Sequence, residues 1–299
     1  SMMFDDKIKG TANAVAGGWG NLGGGITNMV MPLVFAVIVG FGYTKSQAWR
    51  YAMILPGVMM LVVAFLYYRY TLDTPAGNFN EIGKSKKENA KTEWSILYDW
   101  RIWALALAYA MCFGMEITFD NVASLHFVDN FKLSQSAAGF WAGIFGCMNL
   151  FARALGGIFS DKAGNKFGIR GKGIFLASVL LLEGIGIIIF AHAGSLSFAI
   201  VSMLSFALFL KMANGATYGI VPFINKNNIG LVSGIVGAGG NAGGMLFGFL
   251  FKAKGISYIQ AFTYVGYIVV ATATVILITR FRKTGDEKVQ RQSAELAVA

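Results

Sequence analysis

Apolar runs long enough to cross a bilayer follow one another along this sequence almost without pause, and that limits the fold more than any other feature. A helix needs about 20 apolar residues to span the hydrocarbon core. Runs of that kind fall at roughly 10–39, 48–68, 101–127, 135–158, 173–192, 196–222, 229–251 and 258–280. In lipid every backbone polar group must be satisfied within its own segment, so eight such runs predict eight transmembrane helices in an all-α integral membrane protein. With 56% hydrophobic and 13% charged residues, the chain is too apolar for one or two soluble domains. Cys112 and Cys147 both lie inside apolar runs, which indicates packing rather than a disulfide or a metal motif. His126 and His192 fall at span ends with no ligand at metal spacing, so neither a metal nor another cofactor is expected.

The net charge of +10 sits in the loops rather than on one soluble face, which argues for topology and against nucleic acid. By parity, one side carries Lys7, Lys9, Arg69, Lys84, Lys86, Lys87, Lys91, Arg101, Lys162, Lys166, Arg170, Lys172, Lys226 and the tail cations Arg280, Arg282, Lys283, Lys288 and Arg291. The other side has Lys45, Arg50, Lys132, Lys252 and Lys254. Positive charge favours the cytoplasmic side, so both termini and the lysine-rich linker are expected there. The linker divides the chain into residues 1–70 with two spans, 71–100 as linker, 101–283 with six spans, and a tail at 284–299.

One pattern occurs twice. Gly10, Gly17, Gly20, Asn21, Gly23 and Gly24 match Gly230, Gly237, Gly240, Asn241, Gly243 and Gly244 at a constant shift of 220. The first copy also repeats Ala12, Ala16, Gly20 and Gly24 every four residues, a small-residue stripe of the kind that packs membrane helices closely. Beside it run Asn13, Gly17, Asn21 and Gly25. Internal repeats in transporters mark halves that face each other across a midplane site, so Asn21 and Asn241 are its symmetry-related candidates. The repeated helix is fifth of six in the second block but first of two in the first. True repeats would therefore require four further helices ahead of residue 1, the alternative being an eight-helix protein in its own right.

Several polar side chains fall inside spans, where each needs a partner or a function. Arg153 either grips a planar oxyanion with its fork or snorkels to the headgroups. Tyr109, Phe113, Glu116 and Asp120, spaced four, three and four, share one helix face. The two acids there either line a wet cavity and carry a proton or pair across helices to fix packing. Glu183 and Lys211 are expected to neutralise each other. Gly157, Asp161, Lys162 and Gly164 close the fourth span as a charged cytoplasmic latch.

That last segment resembles the inter-helix signature of the major facilitator superfamily. AGGWGNLGGG at 16–25 and GAGGNAGG at 237–244 resemble the paired signatures of its nitrate/nitrite porter family, and GMEITFDN at 114–121, ARALGGIFSD at 152–161 and NGATYGIVPF at 214–223 resemble the high-affinity nitrate transporters. The resemblance implies a partial major facilitator fold, helices five to twelve of twelve, in a multi-pass cell-membrane protein. It implies nitrate or nitrite as ligand and transport rather than catalysis. It makes Arg153 the second of two anion-gripping arginines, with Asn21, Asn241, Gly20 and Gly240 on the signature helices, Tyr109 at the substrate and Phe113 against the planar anion. The first arginine belongs to the family's second helix, which this sequence does not contain. Proton symport through Glu116 or Asp120 and nitrate/nitrite exchange both fit; the alternatives are a carrier of another small anion such as a short carboxylate, or a non-transporting membrane fragment.

Overall fold

The structure, a computed structural model, describes residues 8–72, 77–78, 94–225 and 228–281. The described residues form α-helices α1 (Lys9–Gly40), α2 (Lys45–Ala52), α3 (Ile54–Tyr70), α4 (Trp100–Phe131), α5 (Gln135–Cys147), α6 (Ala152–Ala191), α7 (Leu196–Ile220), α8 (Ile229–Lys252) and α9 (Tyr258–Ile278), with short 3₁₀ turns at Trp94–Tyr98, Met148–Leu150 and Val221–Phe223. Much of the linker and the tail beyond Phe281 lie outside the described residues, so the expected domain limits there stay expectations.

Helix starts follow local chemistry. Thr44 with Gln47 and Ser257 with Gln260 form reciprocal capping boxes at α2 and α9, while Ser134, Ser195 and Asp99 accept from first-turn amides of α5, α7 and α4. Each supplies an oxygen to an amide that has no intrahelical acceptor.

Among the described residues seven stretches are long and apolar enough to cross a membrane, and one of them, Gln135–Ala191, is 57 residues long. It holds two of the eight expected spans. Gly168 breaks it with φ 66° and ψ −164°, a backbone state that side chains with a Cβ avoid. A Cβ at Gly171 would lie 2.5 Å from the Ala163 carbonyl oxygen, so the limbs of α6 double back around this glycine. The loop expected near 159–172 is therefore helical on both sides of one sharp turn.

The bundle centres on α4, which buries Phe119 among Phe145, Phe190, Phe206 and Phe262 with ring centroids 4.4 to 5.9 Å apart. Around it, α6 packs on α7 and α9, α8 lies along α4, and α1 runs beside α5, α6 and α7. Bare backbone permits the closest crossings. A Cβ at Gly114 would stand 2.7 Å from the backbone of Gly243 and Gly244, and one at Gly25 would stand 2.6 Å from Gly146. By contrast α3 has no buried residue and is apolar all round, as a lipid-facing helix should be.

The small-residue stripe on α1 needs correction. Ala14, Gly18 and Gly25 are buried, with Asn21, Asn28 and Pro32 half-buried on the same seam, whereas Ala16, Gly20 and Gly24 are exposed. At 3.6 residues per turn, a strict four-residue step drifts about 40° each time and leaves the contact face within a few steps. Alternating steps of four and three, as in 14, 18, 21, 25, 28 and 32, hold the seam against a neighbour.

Candidate anion site

Arg153 stands in the first turn of α6, just after the Met148–Leu150 turn, and is 4% exposed. It does not snorkel. Its Nη2 donates to the Tyr109 hydroxyl at 2.9 Å. Tyr109 and Phe113, one turn apart on α4, stack with centroids 4.9 Å apart and planes 6° apart. The guanidinium carbon lies 6.0 and 5.9 Å from those two rings, within cation–π range. Tyr218 of α7 closes the cluster edge-on to Tyr109 at 4.9 Å.

The remaining terminal nitrogen decides what this arrangement can do. Nη1 of Arg153 is buried and has no hydrogen-bond partner, its nearest acid being Glu116 Oε2 at 4.0 Å. A charged donor held out of water and left unpaired is costly, so such a group marks a place for an acceptor. Two helices approach the arginine–aromatic cluster with bare backbone. A Cβ at Gly17 of α1 would sit 3.1 Å from Arg153 Nε and 3.3 Å from Nη2, and one at Gly240 of α8 would strike Tyr109 at 2.5 Å and Phe113 at 2.8 Å.

Beneath the guanidinium, Glu116 is 2% exposed and saturated. It accepts from Asn149 Nδ2 at 2.6 Å, from Lys211 Nζ at 3.0 Å and from Asn214 Nδ2 at 2.5 Å. Of the two readings of this acid, pairing across helices is the one its contacts fit: a buried carboxylate with this many donors ties α4 to α7 and to the Met148–Leu150 turn. The expected Glu183–Lys211 pair is absent, because the Lys211 ammonium is committed to Glu116 and rests over the Phe145 ring at 4.2 Å. Both Glu183 oxygens are buried without a hydrogen-bond partner. Asp120 is half-buried facing α1, with Oδ2 where a Cβ on Gly24 would come within 3.0 Å and Oδ1 unpartnered.

Structure thus brings Arg153, Tyr109, Phe113, Glu116 and Gly240 together and leaves Gly20 and Asn241 outside. Gly20 has open space around it. Asn241 is exposed, and its amide folds back onto the Gly237 carbonyl at 3.0 Å. Asn21 does the same to Gly17 at 2.8 Å. The repeat is therefore real in local geometry, but the carboxamides serve their own helices, each turned toward the carbonyl four residues back. Gly17 and Gly237, partners under the 220 shift, are what stand beside Arg153 and beside the Tyr218 hydroxyl.

Gly17, Asn149, Lys211, Asn214 and Tyr218 were not foreseen in these roles. Spacing could have found some of them, since Asn149 is one turn before Arg153, and Lys211, Asn214 and Tyr218 follow a three-four step on one face. At the latch, Asp161 pairs with Lys172 at 2.5 Å and accepts from the Thr11 backbone amide and hydroxyl at 2.8 and 2.9 Å. Lys162, the latch cation next to Asp161 in sequence, lies over the Phe159 ring at 5.6 Å. Gly164 gives Lys172 room to reach, since a Cβ there would meet that lysine's side chain, and the Gly157 amide lies 3.0 Å from where a Cβ on Gly215 would be. The turn at Gly168 explains why Lys172 is the cation that pairs, because it lays the second limb of α6 beside Asp161 while the neighbouring Lys162 is exposed.

A membrane bundle with an internal repeat, a glycine-lined buried arginine and this latch is matched by the Major Facilitator Superfamily profile over residues 1–248. The chain belongs to the major facilitator superfamily. This facilitator chain is 39% identical over 294 residues to the high affinity nitrate transporter 2.5 of Arabidopsis thaliana, covering 95% of the chain and 58% of that protein. It is 42% identical over 248 residues to nitrate transporter 2.1 of Chlamydomonas reinhardtii, covering 81% and 45%. With the nitrate/nitrite transporter NrtP of Nostoc punctiforme it shares 26% over 324 aligned positions, covering 82% and 62%. The chain spans about half the length of the curated relatives it matches.

Proposed function

We propose that this chain supplies the anion-binding part of a nitrate or nitrite carrier that works by alternating access, a transport protein rather than an enzyme. The observation that carries the proposal is the unpaired Nη1 of Arg153, buried beside the stacked Tyr109–Phe113 rings. Nitrate is planar and weakly hydrated. A guanidinium edge can replace part of its water, a ring face can lie against its plane, and the bare backbone at Gly17 leaves room beside the guanidinium. The printed names of the relatives favour the same ligand.

On this reading Asn21 and Asn241 act indirectly, by holding Gly17 and Gly237 in place, while Gly20 and Gly240 belong to the faces that move. Asp161 with Lys172 and Thr11 joins α6 to the start of α1, a contact that can break and reform as the two blocks rock. The first block is residues 1–70, the six-helix block is 101–283, and 71–100 and 284–299 are the cytoplasmic linker and tail. Further helices of the same protein, bearing a second arginine, complete the pocket in lipid. Loop charge favours both termini in the cytoplasm, in the cell membrane. Carrying an anion into a cell negative inside costs about 2.3 kcal/mol per 100 mV, so uptake is driven by a proton or by an exchanged anion. No cofactor enters the scheme.

Competition binding with labelled nitrate against nitrite and short carboxylates tests the substrate. Nitrate or nitrite displacing label far better than acetate or formate, with the difference lost in Arg153→Lys, is the expected result. Equal displacement by carboxylates would favour a general small-anion carrier, and binding unchanged in Arg153→Lys would remove Arg153 from the site.

A further inference from the structure

We infer that Arg170 and Arg280 form a binding site for one anionic phospholipid, where the second limb of α6 meets the end of α9. The site is separate from the Arg153 pocket and stands whether or not that pocket takes an anion.

Both arginines line one cavity of about 590 Å³. Arg170 follows the Gly168 turn at the head of the second limb, Arg280 lies just past the end of α9, and both are exposed. Neither has a hydrogen bond or an ion pair among the described residues. The acids described at this end of the bundle are engaged elsewhere, Asp161 with Lys172 and Thr11 and Asp99 with Arg101. Two guanidinium forks therefore stand at the mouth of one cavity with no counter-charge. Behind them the wall is hydrocarbon. Ile174 lies one turn after Arg170, Leu277 and Ile278 come just before Arg280, and all three line the cavity and are exposed. Phe281 closes the inner side, its ring seated where a Cβ on Gly173 would come within 2.6 Å. Away from the arginines the exposed apolar face continues through Leu181 and Ile185 on α6 and Ile268 on α9, as on any helix bathed in acyl chains.

Aromatic residues mark the depth. Arg280 and Thr279 also line a second cavity with Tyr98 and Trp100, and those two rings are exposed together with Trp94. Exposed Trp and Tyr of this kind gather at the boundary between headgroups and acyl chains. The guanidiniums thus stand at headgroup level with the apolar wall on the tail side. A phosphate set between them accepts forked, charge-assisted hydrogen bonds, while an acyl chain lies on Ile174 and Leu277. Net charge selects the lipid. Phosphatidylcholine carries its own cation beside the phosphate, which two arginines repel, whereas phosphatidylglycerol carries none. Basic pockets between membrane helices hold anionic headgroups on these terms. Free phosphate would meet the arginines and leave the apolar wall uncovered, so the occupant is a lipid.

The test offers the purified chain, in detergent micelles, phosphatidylglycerol or phosphatidylcholine with the same acyl chains and follows retained lipid by native mass spectrometry. Wild type should retain one phosphatidylglycerol in preference to phosphatidylcholine, by about fivefold for each arginine. Arg170→Gln and Arg280→Gln should each lower that preference about fivefold. Lys166→Gln removes the same charge from an exposed residue outside the cavity and should keep it. Equal retention of the two lipids by wild type, or a loss in Lys166→Gln as large as in the arginine variants, would overturn the inference. Thermal unfolding in nanodiscs gives a second reading that does not depend on survival in detergent. Phosphatidylglycerol should raise the Tm of wild type more than that of Arg280→Gln. An equal rise in both, or inorganic phosphate protecting wild type as well as the lipid does, would also overturn it.

Discussion

Helices α1 and α8 carry the same Gly-Asn-x-Gly-Gly text, yet the bundle uses them differently. Both turn an asparagine amide onto the glycine carbonyl one turn earlier, Asn21 to Gly17 and Asn241 to Gly237. From there they part. Along α1 a seam of Ala14, Gly18 and Gly25 sinks against α5 and α6, and the Asn149 amide reaches the Asn21 carbonyl at 3.4 Å. On α8 the close approach is to α4, through Gly239, Gly240 and Gly243, while Asn241, Met245 and Leu246 stay exposed. A repeated motif fixes local backbone and the closeness a neighbour can reach. It does not fix which residue faces the ligand, because that depends on what each helix packs against.

The largest effect should come from overfilling a crossing. Gly25→Leu on α1 and Gly243→Leu on α8 each place a side chain into backbone, and each should lower stability by about 1–3 kcal/mol or more, read as thermal unfolding in detergent. A loss confined to α1 would mean that α8 packs more loosely than described. Next, Arg153→Lys exchanges a planar fork for a point charge and should weaken nitrate binding by about 2 kcal/mol, roughly 30-fold, by calorimetry. Asn241→Ala, with its amide exposed, should change binding by less than about threefold.

A smaller contrast separates the two partner glycines. Gly17→Ala crowds the guanidinium at 3.1 Å and should reduce affinity several-fold, whereas Gly237→Ala meets only the Tyr218 hydroxyl at ordinary contact distance and should leave it unchanged. Equal effects would restore the symmetric site that the sequence suggests. The smallest change is expected for Gly20→Ala. With open space around it, this substitution should leave binding as it is and stabilise α1 by up to about 1 kcal/mol.

Much of the fold could be read in advance because bilayer thickness ties run length to span. The limits of α1, α4, α8 and α9 fall close to the apolar runs. Gly168 hid one boundary, since helix continues on both sides of it and only a single residue turns the chain. Arg153, Tyr109, Phe113 and Glu116 were legible as costly or co-facial residues within lipid. Their partners were not, because Lys211 and Asn214 reach Glu116 from α7 and Asn149 reaches it from the Met148–Leu150 turn, and hydropathy has no record of which faces meet. The same blindness produced the mistaken Glu183–Lys211 pair, since the Lys211 ammonium goes to Glu116 and both Glu183 oxygens are left without a hydrogen-bond partner.

The central claim, that Arg153 keeps a buried donor open for a planar anion, is tested most directly by an experimental structure of the protein with nitrate. The account predicts the anion on Arg153 Nη1, with Tyr109 and Phe113 at its face and the Gly17 backbone at its edge. Nitrate bound elsewhere, with Nη1 closed onto Glu116, would contradict it.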